Sequence, residues 1–337
     1  MANALTTSFT HTYAGKELLE EIFYAPQADG AGQNPFALHR VMSDVKTKKN
    51  IYVVGKLQGI LQADSGCGFS ASGSVAITDR VIDPVKLKVN VEQCEDAFAE
   101  TIFNEAQKAG VSRADLTGTV IEEMLMNAVS RGMREDLIKA AWFSDAASSH
   151  AFYGNFEGYF ERILDGGFGG YTLDLNSSAT YEAADVLASD GAYAALKNLY
   201  SNMPAAMRGL KGELVAMVTS SVYDNLLETL ENSGTDSGLA RIQDGVSELK
   251  FRGIPIIDMS FWDESLADTA ANPNSAAIGS NSIVITAPDN LVVGTDVTDP
   301  ASEMKVWYEE KDEKVYIKSK FNFGTQIVSD ELIVAAY

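Results

Sequence analysis

The chain changes its hydrophobic period several times along its length. Residues 85–91 alternate strictly, with Val85, Leu87, Val89 and Val91 against Lys86, Lys88 and Asn90, which predicts a half-buried strand. Apolar β-branched runs at 51–54 and 74–82 predict two more. Between those two lie Gly55, Gly59, Gly66, Gly68 and Gly73 and few large apolar groups, so a long two-stranded excursion is expected that needs a surface to lie on. Residues 1–40 hold one short helical patch, 17–24, and are punctuated by Ala25-Pro26, Asp29-Gly30, Gly32 and Asn34-Pro35; they read as an arm. A helix is predicted over 95–108, stopped by Gly110. The longest helix follows over 119–143: Thr119 and Glu122 form a capping box, and Ile121, Met124, Leu125, Ala128, Val129, Met133, Leu137, Ile138 and Ala141 keep helical spacing.

After the glycine-rich loop 165–170 the chain becomes alanine-rich, which marks a boundary into a second unit. There, helical patterns at 191–202 and 221–231 alternate with strand patterns at 214–219, 253–258 and 283–286. Residues 232–238 and 265–281 read as polar loops, the second long enough to predict a partner contact or mobility. A turn at 310–313 precedes a near-alternating strand over 314–323, with Val315, Ile317, Phe321 and Phe323 against Lys314, Lys318, Lys320 and Asn322. The sheet-like close at 333–337 ties the C-terminus into the fold.

Composition narrows the classes. The 337 residues, 46% of them hydrophobic, suffice for one large domain or two. With 26 Lys+Arg against 47 Asp+Glu the net charge is −21, which disfavours general attraction to nucleic acid or anionic membrane. No apolar run approaches the roughly 18 to 20 residues of a membrane span, and residues 1–12 lack a secretory pattern, so use in the cytosol or exit by another route is expected. Cys67 and Cys94 are expected to be reduced thiols.

Enzyme chemistry is sparse. His11, His39 and His150 sit in neither metal nor triad spacing. Gly66-Cys67-Gly68-Phe69-Ser70-Ala71 matches the letters of a dinucleotide loop, but β-branched Val75, Ile77 and Thr78 follow where a helix is required, so it reads as a loop tip. Glu309, Glu310, Asp312 and Glu313 with Lys311 and Lys314 read as a solvated turn. Arg40, Lys46, Lys48 and Lys49 form a basic strip suited equally to an acidic neighbouring subunit and to solvent, with a phosphate-backbone contact as a third option. No catalytic, cofactor-binding or metal-ligating residue is assigned.

The order of these parts resembles the tailed-bacteriophage major capsid proteins of the Hong Kong 97-type fold. The likeness is carried by 214–231 followed by Arg252-Gly253-Ile254-Pro255-Ile256-Ile257-Asp258, by Asn290-Leu291-Val292-Val293-Gly294-Thr295-Asp296, and by Phe321-Asn322-Phe323-Gly324-Thr325-Gln326-Ile327-Val328. It implies an α+β fold with an N-terminal arm (1–40), an extended β-hairpin loop (41–92), a peripheral domain with a spine helix (93–178), an inserted axial domain (179–300) and peripheral return strands (301–337). It further implies a structural protein, not an enzyme, that self-assembles through pentamers and hexamers into an icosahedral shell. That shell would enclose phage DNA, held only non-specifically, in a virion capsid assembled in the host cytoplasm. Implied partners are scaffolding, portal and head-completion proteins, with no membrane. The family's long, proteolytically removed helical segment and its Lys–Asn crosslink have no counterpart here, which implies a separate scaffolding protein or none. Two other readings stand beside this one: an encapsulin-like compartment, and an acidic α+β enzyme with a dispersed site.

Overall fold

The computed structural model describes residues 38–55, 60–61, 63, 75, 77–94, 120–165, 168–175, 187, 190–232, 249–296, 304–309, 311–312 and 314–337. The expected helix at 95–108, most of the arm, His11, Cys67 and the loop 66–71 lie outside them.

Three sheets organise the described residues. The first holds β1 (Arg40–Met42), β4 (Val85–Cys94), β10 (Leu291–Thr295), β11 (Lys305–Glu309) and β12 (Lys314–Ile327). β12 is its axis: it pairs antiparallel with β4 from Lys314↔Cys94 to Phe323↔Val85, and its other edge takes β11 and then β10. β1 adds parallel to β10. The second sheet runs β5 (Tyr171–Leu173), β13 (Ile333–Ala336), β9 (Ile283–Thr286), β6 (Val215–Val218), β8 (Ile254–Asp258) and β7 (Leu249–Phe251). The third is a hairpin of β2 (Lys49–Val54) and β3 (Ile77–Ile82) alone.

Around the sheets lie α1 (Val120–Phe143), α2 (Tyr159–Leu164), α3 (Gly191–Asn202), α4 (Ala205–Gly209), α5 (Ser220–Asn232), α6 (Ser260–Ala267) and α7 (Ser275–Ile278). The spine helix α1 buries its C-terminal part, where Leu137, Ile138, Trp142 and Phe143 enter the core while the side chains of 126–131 stay partly open. Trp142 lies 4.7 Å from Trp262 and 5.3 Å from Phe160 between ring centroids, in edge-on and tilted geometries that aromatic rings favour. A second core on α3, α5 and the six-stranded sheet collects Leu196, Leu199, Val222, Leu226, Ile283 and Ile285.

The structure divides the expected segments differently. Residues 41–92 are not one excursion: only β2 and β3 make the hairpin, and β4 belongs to the five-stranded sheet. The stretch 301–337 also splits, since β11 and β12 join the first sheet and β13 the second, while β10, expected within 179–300, sits in the first. The loop expected over 265–281 for mobility or a partner is packed instead. It contains the end of α6 and all of α7, and Asn272, Asn274, Ser275, Ser280 and Asn281 are buried. Its amides serve the backbone: Asn274 Nδ2 donates to the Phe143 carbonyl at 3.1 Å, satisfying an orphan acceptor at the end of α1, and Asn272 Nδ2 donates to the Ser265 carbonyl at 3.0 Å.

Candidate self-association surface

The hairpin is fixed at its root and open beyond it. Ile82 is fully buried with Val45 and Val292. Gly294 and Gly324 face each other across β10 and β12, and both let the root approach: a Cβ on Gly294 would come within 2.6 Å of Ile82 Cδ1, and one on Gly324 within 2.9 Å of the Asp83 carbonyl. The glycines of the sequence motifs are therefore a seat for the hairpin. Gln326 Nε2 donates to the Val81 carbonyl at 2.6 Å, and Arg80 bridges to Asp330 at 2.5 Å.

Beyond the root, register decides the faces. Directly opposed residues of an antiparallel pair share a face. Asn50↔Val81, Tyr52↔Asp79 and Val54↔Ile77 thus lie on one side, and Ile51↔Arg80 and Val53↔Thr78 on the other. The first side is exposed: Tyr52 at 68%, Val54 at 65%, Ile77 at 62% and Val81 at 39%. Ile51 and Val53 are half-buried. Leu61, further along the excursion, is 95% exposed. A two-stranded hairpin is marginal alone, and an open face on which Tyr52, Val54, Ile77 and Val81 surround the hydrogen-bonded Asn50–Asp79 pair marks an interaction site.

The basic strip is partly paired within its own chain: Lys48 meets Asp83 at 2.8 Å and Lys46 meets Asp44 at 3.5 Å. Both pairs are exposed, so each contributes about 0–1 kcal/mol and leaves the lysines free to exchange partners. Between α1 and the β4–β12 ladder runs a groove of about 1190 Å³, lined by Leu87, Val89, Met133 and Phe156, with Lys86 and Asp136 on its wall. Burial pushes the Asp136 carboxyl up to about 6, with Lys139 opposing.

The described histidines and the acidic turn have structural surroundings. His39 stacks on Tyr159 at 5.4 Å and meets Trp142 edge-on at 5.9 Å, and burial lowers it to about 3. His150 Nδ1 accepts from the backbone N–H groups of Phe152 and Tyr153 at 3.3 and 3.4 Å, closing a turn. In the acidic turn, Asp312 accepts from the Tyr316 hydroxyl at 3.1 Å. Lys314 bridges to Glu92 at 3.1 Å across the ladder. Asp145, Glu157 and Glu161 each bring a carboxylate oxygen within 4.8 Å of the others, a spacing that could hold a cation. Burial raises Glu157 and Glu161, and the Asp145 charge adds to both. The sequence reading missed this trio because Asp145 follows α1 while Glu157 and Glu161 lie just before and within α2, more than ten positions on.

Sequence comparison matches the chain to no protein family and to no curated protein. Solved structures do match in fold. A chain of the capsid of a native GTA particle aligns with a TM-score of 0.55 at 14% identity, covering 98% of this chain and 94% of its own. The satellite phage P4 procapsid, which includes a size determination protein, gives a TM-score of 0.56 at 11% identity, over 98% and 93%. The capsid of cyanophage P-SCSP1u gives 0.52 at 14% identity, over 98% and 92%. The chain therefore has the α+β Hong Kong 97-type capsid fold, as its order of elements implied.

Proposed function

We propose that the chain is the structural subunit of an icosahedral virion shell, with self-association as its function. The observation that carries this reading is the hairpin face of Tyr52, Val54, Ile77 and Val81, open along its length on a root seated in the core. A neighbouring copy supplies the cover, as in a shell whose closed symmetry repeats one contact. The five-stranded sheet with α1 and α2 is the peripheral domain, and the six-stranded sheet with α3, α4 and α5 the axial domain, the latter meeting its copies in pentamers and hexamers. The shell is assembled in the host cytoplasm and encloses phage DNA held non-specifically. Scaffolding, portal and head-completion proteins complete the partner list. Net charge supports non-specific packaging, because an acidic or neutral wall does not gain the counterion release that would fix phosphate in place.

Electron microscopy of the purified full chain tests the reading. Closed shells with nuclease-protected DNA are expected when it is expressed with the other head proteins. A compact monomer at all concentrations overturns the shell, and shells filled with protein cargo overturn the DNA assignment in favour of an encapsulin-like compartment.

A further inference from the structure

Three cations crowd one tyrosine on the helical layer of the six-stranded sheet. Around the Tyr200 ring, Arg252 Cζ lies at 4.6 Å, Lys211 Nζ at 5.1 Å and Arg208 Cζ at 5.8 Å from the centroid. Arg252 also stands 5.4 Å from the Phe251 ring, which Tyr193 meets edge-on at 5.8 Å. Arg208 is committed to its own chain, donating to the Ser201 and Met203 carbonyls at 2.6 and 3.1 Å. Lys211 and Arg252 are exposed, and neither forms an ion pair among the described residues.

Arg252 holds its place at a cost. It occupies the first position of the two-residue turn between β7 and β8, with φ 51 there and φ 91 at Gly253. Such a turn favours Asn, Asp or Gly at that position, and an arginine in left-handed backbone points to a use for its side chain.

A complementary surface exists on the same unit. Asp224, Glu228 and Glu231 are exposed on α5 at helical spacing, which puts them on one face. Glu228 and Glu231 stand toward the helix C-terminus, where carboxylates oppose the macrodipole, and α5 has no basic residue in its last turn. α5 thus carries a negative stripe, and the α4–β6 connection and β7–β8 turn together a positive cluster in which Lys211 hydrogen-bonds the Tyr200 side chain, with no ion pair on either among the described residues, on a chain of net charge −21.

We propose that the Lys211–Arg252 cluster docks the Asp224–Glu228–Glu231 stripe of a second copy of the chain, clasping copies head to tail around a ring. The inference rests on the shell reading above. A ring requires two different, complementary surfaces on every subunit, and these two meet that need. Packaged DNA fits less well, because Arg252 and Lys211 already cover the Tyr200 face on which a base would stack, and the chain as a whole repels phosphate.

Charge swaps on the full chain test the pairing. K211E/R252E and E228K/E231K are each expected to raise the concentration at which light scattering reports shells by about tenfold or more. Combining all four is expected to restore it to within about threefold, because only a direct pairing is rescued by exchanging both signs. If K211E/R252E fails to melt as the parent does, K211Q/R252N replaces it, since Asn suits the turn and still removes the charge. Parent-like assembly by either reversed pair overturns the inference, as does a folded fourfold variant no better than the worse pair. Normal shells with less DNA would overturn it too, assigning the cluster to nucleic acid. Absence of shells from the parent chain would remove the shell reading itself, a failure distinct from these.

Discussion

Strands β9 and β13 and the hairpin strands β2 and β3 share Val and Ile at their apolar positions and end in opposite surroundings. Every residue of β9 and β13 is buried. Val284, Ile333 and Ala335 enter one core, and Ile283, Ile285, Val334 and Ala336 the other, so both faces are used and the sequence reads as continuous apolar runs. In the hairpin one face is half-covered and the other carries Tyr52, Val54 and Ile77 in the open. A strand-forming pattern therefore states that a surface will be covered, and not by which chain. The first pair is completed in folding; in the proposed shell the second is completed in assembly.

This contrast has measurable limits. Trp142→Ala, which empties the centre of the aromatic core, is expected to destabilise the subunit by about 3–5 kcal/mol, read as a lower midpoint in urea at unchanged slope. A loss below about 1 kcal/mol would mean that the core is no more self-sufficient than the hairpin.

A smaller effect is expected from pH. Asp136 is raised from 3.8 to about 6 by burial, so between those values the folded chain holds a proton that the unfolded chain has released. Stability therefore falls as pH rises through this window, by at most about 3 kcal/mol and by less because the group borders the groove. Asp136→Asn is expected to flatten this limb of the stability profile. An unchanged slope between pH 4 and about 6 would show the carboxyl to be solvated.

The smallest effect on the subunit accompanies the largest on the shell. Tyr52→Ser with Ile77→Ser on the open hairpin face is expected to shift subunit stability by no more than about 0.5 kcal/mol, while electron microscopy finds no closed shells. Substantial unfolding would place the face in the subunit's own core, and normal shells would remove it from assembly.

Much of the framework was legible because it rests on local period. The alternation of Val85 to Val91 became β4, the helical spacing of the spine helix became α1, with Thr119 of the expected capping box outside the described residues, and the run at 283–286 became β9. Partner choice was not legible. β4 pairs with β12 more than 200 positions away, and nothing in its alternation separates that from pairing with β3. Asn272 and Asn274 were misread for a different reason: an amide that bonds buried carbonyls has the same polarity as one that bonds water. The hairpin's open face was half visible, since both strands were expected but their register, which sorts Tyr52 from Ile51, was not. β1 and α6 went unread, at three and eight residues too short to show a period.

The β4–β12 ladder also sets how the subunit carries load. The hairpin joins β4 through Asp83 and Pro84, and ten consecutive residue positions of β4 are matched to β12 from Val85 to Cys94. A pull on the hairpin arrives along the axis of β4, perpendicular to those hydrogen bonds, and strains them together in shear, with no single weak link to peel first. In the proposed shell, swelling against the contents would thus draw tension through this ten-pair seam of each subunit.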